Sequence, residues 1–271
     1  MNPRIIVFGN EKGGTGKSTL AMHLSVYLLK AGFKVSTIDL DAHQGTFTRY
    51  FENRKNSKYK LEMPYHQEVL LSEMENRSDA EKDEHDRFIA ALNNAKKSHF
   101  IIIDTPGTNH HLSRLAHACA DTLITPINDS FIDLDMLVRL DSNDLSIIKP
   151  STYSEIVWKQ RIERAKQRLK PTDWIVVRNR LSTLIARNKR EINDVLLILA
   201  KRIGFRLGSG FCERVIFKEI FLQGITLLDF EDIGKKMTMS HVAARQELRD
   251  FVKELNLHEL SLPPEKIESL L

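Results

Sequence analysis

The chain has 271 residues, of which 42% are hydrophobic and 28% are charged, a balance typical of soluble globular proteins. Its net charge of +4 is small for this length, so affinity for nucleic acid has to come from local clusters of basic residues. The longest apolar run, Val195 to Ala200, is far below the roughly 18 residues of a membrane-spanning helix. Two distant cysteines match no disulfide or metal-binding pattern. We therefore expect a cytoplasmic protein that does not bind membranes.

A glycine-rich motif follows the first apolar run. Residues 5–19, IIVFGNEKGGTGKST, indicate a strand, a phosphate-binding loop and the start of a helix. Gly16, Lys17 and Ser18 complete the pattern G-x-x-x-x-G-K-[ST], although Glu11 stands where its first glycine would be. In this pattern the lysine reaches the β- and γ-phosphates and the serine hydroxyl holds Mg²⁺. The motif predicts a nucleotide site formed by Lys12, Gly13, Gly14, Thr15, Gly16, Lys17, Ser18 and Thr19.

Short apolar runs alternate with helical patterns along the chain. The pattern predicts strands at 34–40, 100–103, 122–127 and 174–177, a helix ending at Gly32, a largely helical region at 131–170, and late helices at 187–203 and 240–255. Such alternation predicts one α/β domain over residues 1–271, with a doubly wound, mostly parallel sheet and helices on both faces. Ligands of such folds bind at the carboxyl ends of the strands.

Residues 53–98 are polar and harder to assign. The segment 73–87 carries seven acidic and three basic residues, which favours a solvated helix face over a surface for binding a partner.

Three aspartates lie at the ends of predicted strands. Asp104 closes the run at 100–103, where a carboxylate near Mg²⁺ belongs in a phosphate-loop protein, although a residue there could instead cap the next helix. Asp39 and Asp41 alternate along the strand at 34–40, so we expect them on the same side. One would order the Mg²⁺ shell, together with Ser18 and Asp104, and the other would orient the attacking water.

Residues 187–218 carry eight basic and three acidic residues. Ile192, Val195, Leu196, Leu199 and Ile203 have the spacing of a buried helix face, which leaves basic side chains on the opposite face. The simpler interpretation is that these basic residues form an ordinary solvated helix face. The alternative is a surface for DNA phosphates, bound without sequence preference, formed by Arg187, Lys189, Arg190, Lys201 and Arg214.

The loop KGGTGKS, residues 12–18, resembles the deviant Walker A motif of the ParA/MinD superfamily. In that superfamily the extra lysine, here Lys12, contacts the phosphates of the nucleotide held by the other subunit. Further stretches resemble the division-site-positioning ATPases of the MipZ family within it, among them FENR (51–54), TPINDSFIDLDML (125–137), DWIVVRNRL (173–181) and HVAARQELR (241–249).

The resemblance implies a slow ATPase that uses ATP and Mg²⁺, forms a homodimer with ATP and binds DNA non-specifically. Lys12, Lys17 and Asp41 would be its catalytic residues, and Asn179 would face the adenine. It further implies association with the nucleoid, control by a ParB-like partition protein and inhibition of the tubulin-like protein FtsZ.

Of the alternatives, a ParA-like partition ATPase and a metabolic ligase or kinase remain open from the sequence, whereas the chain lacks the residues that a MinD-like protein or a nitrogenase-iron-protein-like reductase needs. A ParA-like partition ATPase usually has Pro-Gln after the second aspartate, where this chain has Ala42 and His43. A MinD-like protein needs a basic amphipathic membrane helix, and the tail LHELSLPPEKIESLL has three glutamates and one lysine. A nitrogenase-iron-protein-like reductase needs paired cluster cysteines. A metabolic ligase or kinase on the same loop is the candidate from a different class.

Overall fold

The computed structural model describes residues 2–41, 44–141, 147–181, 186–214 and 216–257. At Phe131 and at residues 186–190 it describes the backbone only. Ala42, His43 and the tail from residue 258 therefore lie outside the described residues, as do the side chains of Arg187, Lys189 and Arg190.

A seven-stranded parallel sheet forms the centre of the molecule. The strands in the described part of the chain are β1 (Arg4–Phe8), β2 (Val35–Asp39), β3 (Tyr65–Glu68), β4 (Phe100–Asp104), β5 (Thr122–Asn128), β6 (Val138–Leu140), β7 (Ile147–Pro150), β8 (Asp173–Asn179) and β9 (Arg206–Gly208). The order in the sheet is β3-β2-β4-β1-β5-β8-β9, and β6 and β7 form a separate antiparallel pair. Because every pairing in the large sheet is parallel, the carboxyl ends of its strands meet at one edge.

Helices connect these strands. They are α1 (Lys17–Lys30), α2 (Thr46–Lys55), α3 (Arg77–Asn94), α4 (His111–Cys119), α5 (Phe131–Leu134), α6 (Thr152–Lys166), α7 (Ala186–Leu199), α8 (Ile216–Leu222) and α9 (Met239–Glu254), with a π-helical turn at Ala200–Gly204 and a 3₁₀ turn at Leu227–Asp229. None of the helices within the described ranges is long and apolar enough to cross a membrane.

The sheet separates two hydrophobic layers. Along β1, Ile6 and Phe8 pack with α1, α2 and α9, whereas Val7 packs on the other side with α3, α4, α6 and α7. Successive side chains of a strand point to opposite faces, so a strand covered on both sides must be apolar throughout. This requirement explains why the strand sequences read as continuous apolar runs.

The predicted α/β fold with helices on both faces is confirmed. The predicted strands appear within one or two residues, and the helix predicted to end at Gly32 is α1. The predicted buried face of α7 is also confirmed, since Ile192, Val195, Leu196 and Leu199 are buried and Ile203 packs against the same core.

The region 131–170 differs from the expectation. The sequence pattern predicts a largely helical region, but the β6–β7 hairpin lies between α5 and α6. The strands of this hairpin have only three and four residues. Apolar runs of this length are too short for periodicity to distinguish a strand from a helix. The short strands β3 and β9 and helix α8 were likewise not predicted from the sequence.

Residues 77–87 of the acidic stretch lie in α3, as expected for a helix, whereas Glu73 and Glu75 precede it. Asn76 caps this helix, because its side chain accepts hydrogen bonds from the amides of Ser78 and Asp79. The acidic side chains of α3 differ in exposure: Asp79 and Asp86 are exposed, Glu81 and Asp83 are partly buried, and Glu84 is buried and so is not part of a solvated face.

Candidate nucleotide-binding site

The phosphate-binding loop connects β1 to α1 at the carboxyl edge of the sheet. Gly14 and Gly16 have φ angles of 73° and 92°, which residues other than glycine rarely adopt. A Cβ on Gly16 would lie 2.1 Å from the side-chain nitrogen of Asn179. That nitrogen donates a hydrogen bond of 2.7 Å to the carbonyl of Thr15. Asn179, at the end of β8, therefore contacts the loop directly.

A set of buried hydrogen bonds holds the loop from behind. The side chain of Asn10 donates to the Pro126 carbonyl at 2.6 Å and accepts from the Lys12 amide at 2.7 Å. The Tyr153 hydroxyl donates to the Gly9 carbonyl at 2.9 Å. The phosphate-loop motif does not itself indicate Asn10 or Tyr153 as supports of the site. The position of Asn10 just before the loop was the available signal for it, whereas nothing local points to Tyr153.

Lys17 lies at the start of α1 and is almost completely buried. Its ammonium donates to the Lys12 carbonyl at 3.1 Å. Burial lowers the pKa of Lys17, and the charges of Asp104 and Asp41 oppose that shift. The first turn of α1 adds the partial positive charge of a helix N-terminus. The arrangement suits a polyphosphate, whose charge stabilises a buried ammonium.

Asp104, at the end of β4, is fully buried beside the phosphate loop. The Ser18 hydroxyl donates to its Oδ2 at 2.5 Å, and its Oδ1 has no hydrogen-bond partner among the described residues. Burial raises the pKa of Asp104 to about 8, with Asp39 and Asp41 adding to the rise and Ser18 and Lys17 opposing it. Helix α4 has His110 as its N-cap, so Asp104 does not cap the next helix. A carboxylate with a free oxygen next to a serine hydroxyl fits Mg²⁺.

Asp39 lies opposite Asp104 in the β2–β4 register. Its carboxylate accepts hydrogen bonds from the Asp41 amide and from the amide and hydroxyl of Thr48, each at 2.9 Å. Asp39 thus caps the first turn of α2 and orders the Asp41 turn. These contacts use most of its acceptor capacity, whereas Asp104 keeps one oxygen free.

Asp41 lies two residues beyond the end of β2, in the turn that leads to α2. Strand alternation therefore does not determine where its side chain points. Its charge nevertheless acts on the site, because it raises the pKa of both Lys17 and Asp104.

No cluster of three or more histidine, cysteine, aspartate or glutamate side chains in the described ranges has metal-binding geometry. A magnesium ion at Ser18 and Asp104 would therefore take its other ligands from phosphate and water, which is usual for Mg²⁺ in nucleotide sites.

Lys12 projects from the other side of the loop. Its ammonium forms an ion pair with Asp133 of α5, a carboxylate that is buried, while the Lys12 side chain is 41% exposed. A Cβ on the neighbouring Gly13 would have no atom within 4 Å, but a Cβ on Gly107 would lie 2.9 Å from the Gly13 amide. The loop after β4 therefore packs against the phosphate loop, while the outer side of Gly13 stays open.

Two cavities flank the phosphate loop. The larger, about 480 Å³, runs from Gly16 and Thr19 past Asn179 to the aromatic side chains of Phe211 and Phe217, a lining suited to a base and a sugar. The smaller, about 300 Å³, lies between Gly13, Asp41, Leu71 and Gly107.

The predicted DNA-binding residues fall in different places. Lys201 is exposed in the π-helical turn after α7. Arg214 lines the larger cavity, and its guanidinium pairs with Glu247 at 2.5 Å and donates to the Ser240 hydroxyl at 3.2 Å. Arg187, Lys189 and Arg190 belong to the first turns of α7, where the structure describes the backbone alone.

Several solved structures share this fold. The apo McdA of Cyanothece is 18% identical, with 93% of this chain and 99% of that chain covered and a TM-score of 0.62. A putative plasmid partition protein of Borrelia burgdorferi bound to AMPPNP is 17% identical, with 93% and 99% covered and a TM-score of 0.58. MinD of Pyrococcus horikoshii complexed with Mg-ADP is 17% identical, with 96% and 99% covered and a TM-score of 0.57.

At these identities the structural likeness establishes the fold and leaves function to other observations. No individually curated protein matches the sequence. The model of the family ATPase MipZ, in contrast, matches residues 4–259, a range that includes the phosphate loop, all three aspartates and Asn179. The chain belongs to the MipZ family of ParA/MinD-type ATPases.

Proposed function

We propose that the protein is an ATP-dependent dimerisation switch that hydrolyses ATP slowly. The observation that carries the nucleotide-binding part of this proposal is the buried Asp104, whose Oδ2 accepts from the Ser18 hydroxyl, whose Oδ1 has no partner among the described residues, and whose pKa, raised by burial, is lowered in part by the charge of Lys17. An uncompensated buried carboxylate is costly, and a nucleotide with its magnesium ion would supply the missing positive charge. Membership in an ATPase family supports the same assignment.

The residues divide into binding and hydrolysis. The glycine loop and Lys17 would hold the phosphates, Ser18 and Asp104 would hold Mg²⁺, and the larger cavity beside Asn179 would take the adenosine. The metal ion supplies charge neutralisation at the phosphate oxygens. Asp41 would orient the attacking water and accept its proton, since its charge reaches both Lys17 and Asp104.

Lys12 and Gly13 would make ATP binding depend on a second copy of the chain. Lys12 is the one lysine of the loop with an exposed side chain, and Gly13 leaves room for the close approach of another backbone. For Lys12 to reach the partner's phosphates, its ion pair with Asp133 has to open. Dimerisation therefore has an internal competitor in each monomer.

The wider role rests on family membership. The ATP-bound dimer would bind DNA non-specifically through the basic region of α7 and the following turn, and would associate with the nucleoid. It would position the division site by inhibiting FtsZ polymerisation under the control of a ParB-like protein. Two basic patches in one dimer bind DNA more strongly than either alone, which links DNA binding to nucleotide state.

The dimerisation switch can be tested by sedimentation velocity with ATP, ADP or no nucleotide. The wild-type protein should form dimers with ATP, and Lys12→Ala should stay monomeric because the partner's phosphates lose a cation. Gly13→Val should also stay monomeric while folding normally, because nothing lies near the added side chain. Lys253→Ala, an exposed lysine of α9, is the matched control and should dimerise. A normal dimer from either loop variant would refute the switch.

A further inference from the structure

An apolar loop lies next to the phosphate-binding face. Leu70, Leu71 and Met74 follow β3 and are 53%, 37% and 53% exposed. Single exposed apolar side chains are ordinary, but several together within one short loop indicate a contact surface. We call residues 70–74 the apolar loop.

Two hydrogen bonds hold the apolar loop in place, one just before it and one within it. The amide of Val69, which is buried, donates to the Asp39 carbonyl at 2.9 Å. The amide of Ser72 donates to the buried Glu84 carboxylate at 3.2 Å, and this carboxylate also lies 3.9 Å from the ring of His110. The backbone is therefore ordered before any partner arrives, which reduces the entropy lost on binding.

The position of the loop identifies its partner. Leu71 lines the smaller cavity together with Gly13, Asp41 and Gly107. A protein surface that packs closely against Gly13 and fills this cavity would therefore contact Leu71. The proposed function places a second copy of this chain at Gly13, and this inference rests on that proposal.

Each copy of the chain also exposes an apolar residue, Ile132, on the other side of its phosphate loop. Ile132 of α5 is 78% exposed and precedes Asp133, the partner of Lys12. In the sheet order, β3 and β5 lie on opposite sides of β1, so the apolar loop and Ile132 flank the phosphate loop. A face with apolar residues on both sides of its centre suits a two-fold contact between identical chains.

We propose that the apolar loop is part of the ATP-dependent dimer interface, where Leu70, Leu71 and Met74 contact the second copy. The polar phosphate loops would meet at the centre of the interface. The apolar loops would supply the buried hydrophobic area that stable interfaces contain.

The test compares Leu70→Asp/Met74→Asp with the wild type in ATP. Both side chains are more than half exposed, so the variant should fold and should bind nucleotide as a monomer with unchanged affinity. Its dimer dissociation constant, measured by sedimentation equilibrium, should rise at least tenfold. Leu169→Asp is the control. Leu169 is 48% exposed and lies just before the amino end of β8, away from the carboxyl edge that carries the phosphate loop. The Leu169→Asp dimer should be as stable as that of the wild type.

Hydrogen exchange gives a second measurement on the wild-type protein. The amides of residues 70–75 should exchange more slowly with ATP than with ADP. An unchanged dimer of the double variant, or equal exchange in both nucleotides, would overturn the role of the apolar loop. If Lys12→Ala loses the dimer but the double variant does not, the proposed dimerisation switch stands and only the role of the apolar loop is refuted. A normal dimer from Lys12→Ala would refute the switch itself.

Discussion

At the scale of single residues, the site combines groups that are individually unfavourable in a folded protein. Lys17 is a nearly buried lysine, and Asp104 is a buried carboxylate, one of whose oxygens has no hydrogen-bond partner in the described part of the chain. Burial lowers the pKa of Lys17 and raises the pKa of Asp104, so it favours the neutral form of both groups. Such groups persist where a ligand stabilises their charges. The residue-scale predictions concern the two aspartates with different tasks, Asp41 and Asp104.

Asp41→Ala should bind ATP and hydrolyse it at least about a hundredfold more slowly, because it lacks the carboxylate that orients the water. The variant should therefore accumulate as the ATP-bound dimer. Phosphate release and sedimentation in ATP measure the two effects. Asp86→Ala, an exposed aspartate of α3, should behave like the wild type. Hydrolysis at the normal rate in Asp41→Ala would assign the water to another residue.

Asp104 should make the unfolding free energy depend on pH. Its pKa is about 8 in the folded chain, above the ordinary value of 3.8, so the folded state binds more protons between these values. Stability should therefore fall as the pH rises from about 4 to about 8. Urea unfolding without nucleotide should show this fall in the wild type and a smaller one in Asp104→Asn. Equal slopes for the two proteins would contradict the raised pKa.

At the scale of elements, the loops after neighbouring strands do the work of the site. β1 leads into the phosphate loop, β2 into the Asp41 turn, β4 into the segment that packs on Gly13, and β8 ends at Asn179. α5, after β5, holds Lys12. Five consecutive strands of the sheet order thus contribute to one face, and α7 lies next in the chain after Asn179.

The basic α7 region should bind DNA phosphates. Arg187→Ala/Arg190→Ala should abolish retention on DNA in ATP and spare dimerisation, because these positions belong to a helix outside the phosphate loop. Binding of the wild type should weaken steeply with salt. Lys96→Ala/Lys97→Ala removes the same charge just before β4, where both residues are exposed, and should leave binding intact. Wild-type affinity in the α7 variant at equal salt would reduce this helix to a solvated face.

At the scale of the whole molecule, a buried ion pair joins distant parts of the chain. Arg54 of α2 pairs with Asp229 at 2.8 Å and donates to the carbonyls of Gly224 and Glu62 at 3.1 and 2.8 Å. Lys30 of α1 lies 3.4 Å from the same aspartate. The cluster attaches the segment around the 3₁₀ turn to the α1 and α2 layer, which carries the phosphate loop.

Removal of Arg54 should therefore be strongly destabilising. Arg54→Ala leaves the buried Asp229 without its main partner, and such a change costs about 3–5 kcal/mol. Urea denaturation at neutral pH measures this loss. Arg54→Met/Asp229→Asn removes both charges and keeps an acceptor for the buried amide and hydroxyl of Thr226, so it should recover part of the stability. A loss below about 1 kcal/mol in Arg54→Ala would show that the pair contributes as little as an exposed one.

The fold class and the phosphate loop can be predicted from local patterns in the sequence. Strands buried on both faces must be apolar throughout, and a loop that wraps phosphates needs glycines followed by lysine and serine; both requirements are local and leave visible patterns. The helices α1 and α9 are predictable as well, because their apolar residues recur at helical spacing. The β6–β7 hairpin, β3 and β9 are not, because strands of three or four residues carry too little periodicity.

Which side chains come into contact depends on the folding of distant segments onto one another. Asp133 follows Lys12 by more than a hundred residues and Asp229 follows Arg54 by 175, and no local pattern relates such positions. Folding also distinguishes the aspartates, since Asp39 caps α2 whereas Asp104 keeps an oxygen without a partner among the described residues, although both read alike as acids at strand ends. The difference depends on burial and hydrogen-bond partners from other elements, and these exist only once the chain has folded.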